Sequence, residues 1–141
     1  MKNKKFKILS IDHIAVATTD LSIFNSLFID LLGMNSMPVE CIEDEKVKVK
    51  KIYAEDKKTA IELLESTDES SVIQKFIKTK GQGLHHIALS VDSIGEAIIF
   101  LKHKNIQLVY DVPKKGSDNK IITFIHPKFS PGLLIELCQK L

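Results

Sequence analysis

The chain has 141 residues, 44% of them hydrophobic, and a formal net charge of +2, which fits one globular domain and leaves the charge silent about partners. All 20 basic residues are lysine, and no basic stripe is interleaved with aromatics. This argues against nucleic acid, whose readers favour the bidentate guanidinium. Cys41 and Cys138 form no CxxC pair and suit reduced thiols in the cytoplasm, and no apolar run approaches the roughly 18 residues that a membrane span needs.

Lys2 to Lys7 is basic, but the run that follows is broken by Asp12 and His13, so the start reads as a solvated leader and not as a signal peptide. Residues 8–18 alternate as a strand, with Ile8, Ile11, Ile14 and Val16 before Thr18-Thr19. Asp20 is a helix N-cap, followed by Leu21, Phe24, Leu27, Phe28 and Leu31 at helical spacing and by Gly33 as a stop. Three short strands are expected near 36–42, 46–54 and 59–66; in the second, Val47, Val49 and Tyr53 alternate with Lys48 and Lys50. Ser71-Val72-Ile73-Gln74 resembles a capping box for a short helix through Phe76 and Ile77, and Lys78 to Gly83 reads as a linker. The order then repeats. Leu84 to Val91 is a strand, Ser93-Ile94-Gly95-Glu96 opens a helix with Ile94, Ala97, Ile98 and Leu101 on one face, and strands follow near 106–110, 120–125 and 133–138. The expected fold class is therefore α+β. It consists of two βαβββ modules, about 8–66 and about 83–141, joined by a linker with a short helix over about 67–82, in a single domain.

Two motifs mark the duplication. Asp12-His13-Ile14-Ala15 returns as His85-His86-Ile87-Ala88, 73 residues on, and Ile61-Glu62-Leu63 returns as Ile135-Glu136-Leu137, 74 residues on. Strand side chains alternate faces, so His13, Glu62, His86 and Glu136 are expected on one face and their isoleucine and leucine neighbours on the other, against the helices. A single histidine in a strand is usually a hydrogen-bonded one, and a single carboxylate is usually solvated. Recurrence of both motifs weakens those readings. Two carboxylates on a partly dry concave surface are costly, and a divalent cation removes the cost. Two neutral imidazoles and two carboxylates suit Zn²⁺, Co²⁺, Ni²⁺, Mn²⁺ or Fe²⁺, with positions left open for substrate.

At these residues the chain resembles the vicinal oxygen chelate superfamily and, within it, the methylmalonyl-CoA epimerases. The matching stretches are IDHIAVATTDL (11–21), LLG (31–33), IELLE (61–65), GLHHIALSVDSI (83–94), FIHPK (124–128) and GLLIEL (132–137), which together run nearly the whole length. The resemblance implies paired βαβββ modules forming a curved, barrel-like mixed sheet around a metal site, with ligands at His13, Glu62, His86 and Glu136. It implies Co²⁺ foremost, with Zn²⁺, Ni²⁺ or Mn²⁺ as alternatives, an acyl-CoA substrate, and a cytoplasmic homodimer. The implied reaction is inversion at C2 of methylmalonyl-CoA through an enolate. Inversion needs a base on each face, and Glu136 and Glu62 are assigned that role. Some relatives carry an acidic base where this chain has Val49, which is why the second base moves to Glu62.

Other departures lie in loops: Ile42 to Lys46, Gly116 to Asn119, and Pro131 where glycine is common. Among single residues, His85 is expected to be structural and His103 inert. His126 either holds its turn or touches substrate, and Cys138 packs on the face of Glu136. Lys114, Lys115, Lys120 and Lys128 are solvated or attract CoA phosphates. Three alternatives stay open. A glyoxalase-I-like lactoylglutathione lyase is disfavoured by the lack of arginine to clamp glutathione carboxylates. An extradiol dioxygenase would have one ligand too many. A non-catalytic binding protein of the same fold would have little use for four ligands.

Overall fold

The computed structural model describes residues 3–141. It divides into two compact units, residues 13–85 and residues 86–141 with the N-terminal residues to Asp12. Strand β1 (Ile8–Thr18) contributes its first residues to one unit and its remainder to the other.

In the unit of residues 13–85, β1 leads into a helix capped by Asp20, whose side chain accepts from the Ser22 backbone N–H at 2.8 Å. The Ser22 hydrogen bonds, side chain first, hold the Asp20 carboxyl below the usual carboxylate range. Because the folded value is depressed, the cap is present at neutral pH and is lost as pH falls through that range. The helix α1 (Leu21–Phe24) does not continue as an α-helix. It widens into a π-helical segment, Asn25–Leu31, and closes at Gly33, φ +72°, where the Met34 N–H reaches the Phe28 carbonyl at 2.9 Å. The wider turn shifts the phase expected from the sequence. Leu21, Phe24 and Phe28 pack on Ile52 and Leu63, whereas Leu27 and Leu31 are exposed.

The expected strand at 36–42 is two pieces, β2 (Asn35–Ser36) and β3 (Glu40–Ile42), both antiparallel to β4 (Val47–Tyr53). Pro38, which has no N–H to give the ladder, lies in the gap. Strand β5 (Ala60–Ser66) pairs antiparallel with β4 and parallel with β1, giving the order β2-β4-β5-β1 with β3 beside β4. Helix α2 (Val72–Lys80) opens as expected on Ser71, which accepts from Gln74 N–H at 3.1 Å. It lays Ile73 on Ala15, Ala17, Val47, Val49 and Leu64. The linker glycines Gly81 and Gly83 have φ of +82° and +144°, backbone that suits glycine.

The other unit repeats the plan. Strand β6 (Gly83–Val91) leads to α3 (Ile94–His103), capped by Ser93 on the Glu96 N–H at 3.2 Å. Beyond it come β7 (Lys114–Lys115), β8 (Lys120–Ile125) and β9 (Leu134–Lys140), in the order β6-β9-β8-β7. The strand expected at 106–110 is only a bridge, Leu108 to Ile125. The Thr123 hydroxyl donates to the Tyr110 carbonyl at 2.6 Å and accepts from its N–H at 3.3 Å, taking the place of a ladder rung. Asp118 and Asn119 both take a positive φ of +54° in the turn before β8.

The N-terminal leader is more than solvated lysine. Phe6 is buried against Val91, Ile94, Ala97, Ile98, Leu108 and Leu137, with its ring edge-on to Phe100 at 5.8 Å. Lys7 N–H donates to Asp92 Oδ1 at 2.7 Å, and Asp92 N–H donates back to the Lys7 carbonyl at 3.2 Å. Lys2 lies outside the described residues. Among the described residues, no helix is long and apolar enough to cross a membrane.

Two substitutions test this account by thermal melting. Leu63→Ala empties a site that has no exposed surface and is expected to cost about 2–5 kcal/mol. Ser93→Ala removes the α3 cap and is expected to cost about 1 kcal/mol.

Candidate functional site

Each unit carries one histidine and one glutamate from the repeated motifs, and in each the two side chains meet. In the first, β1 and β5 pair with Ala15 opposite Glu62 and His13 opposite Ala60. In the second, β6 and β9 pair with Ala88 opposite Glu136 and His86 opposite Leu134. The registers are the same: the histidine sits two residues before the alanine that faces the glutamate. Both alanines have no exposed surface. A methyl group there leaves the diagonal open, so the imidazole leans across it to the carboxylate. His13 Nδ1 lies 3.1 Å from Glu62 Oε2, and His86 Nε2 lies 3.2 Å from Glu136 Oε1. The HIA…IEL motif is therefore one device used twice, a small residue that clears the space between two polar ones.

All four side chains are buried: His13 and Glu62 at 3% exposure, His86 and Glu136 at 5%. The expected alternation holds for the leucines, since Leu63 packs on α1 and Leu137 on α3. The isoleucine after each histidine lies on the other face as expected, but it does not pack against a helix. Ile14 is 36% exposed and Ile87 only half-buried, with neither in a core cluster. The short helix covers only the Val16 end of its face.

The surroundings of the two pairs differ. Glu136 stands opposite Phe124 in the β8–β9 ladder, and the Phe124 ring meets His86 edge-on at 5.5 Å. Glu62 stands opposite Lys51 in the β4–β5 ladder, and Lys51 Nζ lies 3.8 Å from Glu62 Oε2. Lys51 is 7% exposed. It went unnoticed as a site residue in the sequence, yet a signal was present: strand alternation from Val47 and Val49 puts residue 51 on their buried face.

The donor set suits a divalent ion. Two ligands at about 2.1 Å from one ion, at an angle between 90° and tetrahedral, stand about 3.0–3.4 Å apart. The nitrogen–oxygen separations of 3.1 and 3.2 Å fall in that interval. Buried imidazole with carboxylate is also the chemistry that borderline metals select.

The remaining residues take simpler roles. Cys138 packs with Ala88 and Ile122 on the Glu136 face, as expected. His85 stacks edge-on with Phe76 at 4.8 Å, and His103 ends α3. His126 holds its turn, with Nδ1 accepting from the Lys128 N–H at 3.2 Å. Lys120 is committed to Asp12 at 2.7 Å, while Lys114 lies over the Tyr110 ring and Lys128 over the Phe129 ring.

The small size of residues 15 and 88 is testable. Ala88→Val adds two methyl groups on the diagonal between His86 and Glu136 and is expected to cost about 1–3 kcal/mol in melting experiments.

Residues 12–124 match the profile of the glyoxalase/bleomycin resistance protein/dioxygenase superfamily. The mitochondrial methylmalonyl-CoA epimerase of Mus musculus is 35% identical over 135 residues, covering 95% of this chain and 75% of that protein. A crystal structure of methylmalonyl-CoA epimerase from Mycobacterium tuberculosis superposes with a TM-score of 0.90 at 31% identity, over 95% of this chain and 89% of the other. A methylmalonyl-CoA epimerase solved with methylmalonyl-CoA and NH₄⁺ gives 0.87 at 29% identity, over 95% and 96%. With its two βαβββ halves and a buried histidine–glutamate pair in each, the chain belongs to the glyoxalase/bleomycin resistance protein/dioxygenase superfamily, also called the vicinal oxygen chelate superfamily.

Proposed function

We propose that this protein is a metal-dependent epimerase that inverts C2 of methylmalonyl-CoA. The observation that carries the reading is the buried histidine–glutamate pair repeated in the same strand register in each half. The likeness to proteins named for that activity, one of them bound to methylmalonyl-CoA, supports it.

His13, Glu62, His86 and Glu136 would together hold the divalent metal, Co²⁺ foremost, with Zn²⁺, Ni²⁺ or Mn²⁺ as alternatives. When bound, the metal supplies Lewis-acid stabilisation for the negative charge that develops on the thioester oxygen as C2 loses its proton. Glu136 takes the C2 proton onto a carboxylate oxygen, and the C–H electron pair passes into the planar enolate. Glu62 then relays a solvent proton to C2 from the opposite face while Glu136 releases its own to solvent, and in the reverse direction the two exchange tasks. The duplicated module is what provides one carboxylate for each face. On the same reading the enzyme works as a homodimer in the cytoplasm, and a single-chain mass in sedimentation would overturn the dimer.

The decisive measurement is NMR of the C2 hydrogen of methylmalonyl-CoA in deuterated water with Co²⁺ added. Wild type is expected to exchange it. Failure to exchange, with turnover of a glutathione hemithioacetal instead, would favour the lactoylglutathione lyase. Glu136→Gln is expected to lose about 10²-fold or more in epimerisation while still binding metal, the usual size of a lost acid–base group. Near-normal turnover in that variant would sink the assignment. Chelation is expected to abolish activity and Co²⁺ to restore it; a chain that retains no divalent metal after purification would favour a non-catalytic binding protein.

A further inference from the structure

The two halves are not electrically equivalent, although their registers are. The residue facing the glutamate across the antiparallel ladder is Phe124 for Glu136 and Lys51 for Glu62. One repeat puts an apolar ring at that place, and the other puts an ammonium. Lys51 is 7% exposed, and its Nζ stands 3.8 Å from the Glu62 oxygen that His13 also approaches. Burying an amine is costly unless an opposite charge is near, so sequence and fold must gain something from placing lysine there. The flanking core residue Val49 shows that this face accepts apolar side chains.

We propose that Lys51 is a positioning residue that offsets the charge of Glu62, making the two carboxylates of the site unequal metal donors. The proposal rests on the metal reading above. Glu62 approaches the ion as half of a near-neutral ammonium–carboxylate pair. Glu136 faces the Phe124 ring, and no ammonium, at the equivalent place across its ladder. The ammonium also fixes the Glu62 carboxylate when no metal is bound, so the donor is in place before the ion arrives. Its repulsion of the cation keeps binding from becoming too tight, since like charges a few ångströms apart interact strongly away from bulk water.

The test combines melting of the chelator-stripped protein with calorimetric titration of Co²⁺. In the metal-free protein, Lys51→Met and Glu62→Gln are each expected to lower the Tm, because each removes one half of the buried ammonium–carboxylate contact. The double variant is expected to melt above Glu62→Gln alone. Additive losses, with the double variant melting below both singles, would overturn the pairing. If Lys51→Met does not fold alone, the comparison of the double variant with Glu62→Gln still decides the matter. In the titration, Lys51→Met is expected to bind Co²⁺ about tenfold tighter than wild type, whereas Lys51→Arg keeps the charge and stays near wild type. A purely structural lysine would not tighten the metal when removed, so an affinity for Lys51→Met within twofold of wild type would overturn the role. Wild type without measurable Co²⁺ binding would instead overturn the metal reading, a failure seen in the titration and separable from the melting cycle.

Discussion

The arrangement of each half depends on one packing constraint: a methyl-sized residue must stand opposite a glutamate in a parallel strand pair. Ala15 faces Glu62 and Ala88 faces Glu136. A larger side chain would fill the diagonal along which the histidine, two residues earlier, reaches the carboxylate. Parallel pairing matters here as well. It lets the two motifs run in the same direction, so that His-Ile-Ala and Ile-Glu-Leu are read in step, and the same register arises in each half without further instruction. The helices that join these strands provide the crossover that parallel neighbours require.

The polar pairs are tolerable because the opposite face of each sheet buries enough apolar surface to hold the strands. Leu63 and Ile52 lie beneath α1, and Leu137 and Val91 beneath α3. The Phe6 anchor and the Lys7–Asp92 exchange add a further tie to the α3 layer. The duplication was free to diverge where neither constraint applies. Opposite the glutamate, one copy has Phe124 and the other Lys51, which sets an aromatic ring against one carboxylate and an ammonium against the other. The repeated register thereby places two carboxylates beside chemically different neighbours.

The parts legible in the sequence were those governed by local rules. Asp20, Ser71 and Ser93 cap where their side-chain chemistry says they should, and Gly33 ends the first helix with the positive φ that glycine permits. The strands bearing the motifs stand within a residue or two of their expected bounds, because alternation is a strong signal when both faces are constrained. The misses were set by distant contacts. The segment at 106–110 has strand-like composition, but the Thr123 hydroxyl takes the Tyr110 backbone groups, and this involves a residue 13 positions away. Nothing local announces the π-helical widening at Asn25–Leu31, and so the exposure of Leu27 and Leu31 could not be read from their spacing.

Lys51 marks the line between the two kinds of information. Alternation puts position 51 on the face of Val47 and Val49, but a lysine beside Lys48 and Lys50 is indistinguishable in composition from a solvated one and was not singled out. By itself the sequence determined the duplicated βαβββ order, the four candidate donors and their common strand parity, because period and motif spacing are properties of the chain. Only the tertiary structure decided which residues stand across the ladder from each glutamate. Strand register is a long-range choice, fixed by packing between segments that the chain keeps apart, and it is register that sets Lys51 against Glu62 and Phe124 against Glu136.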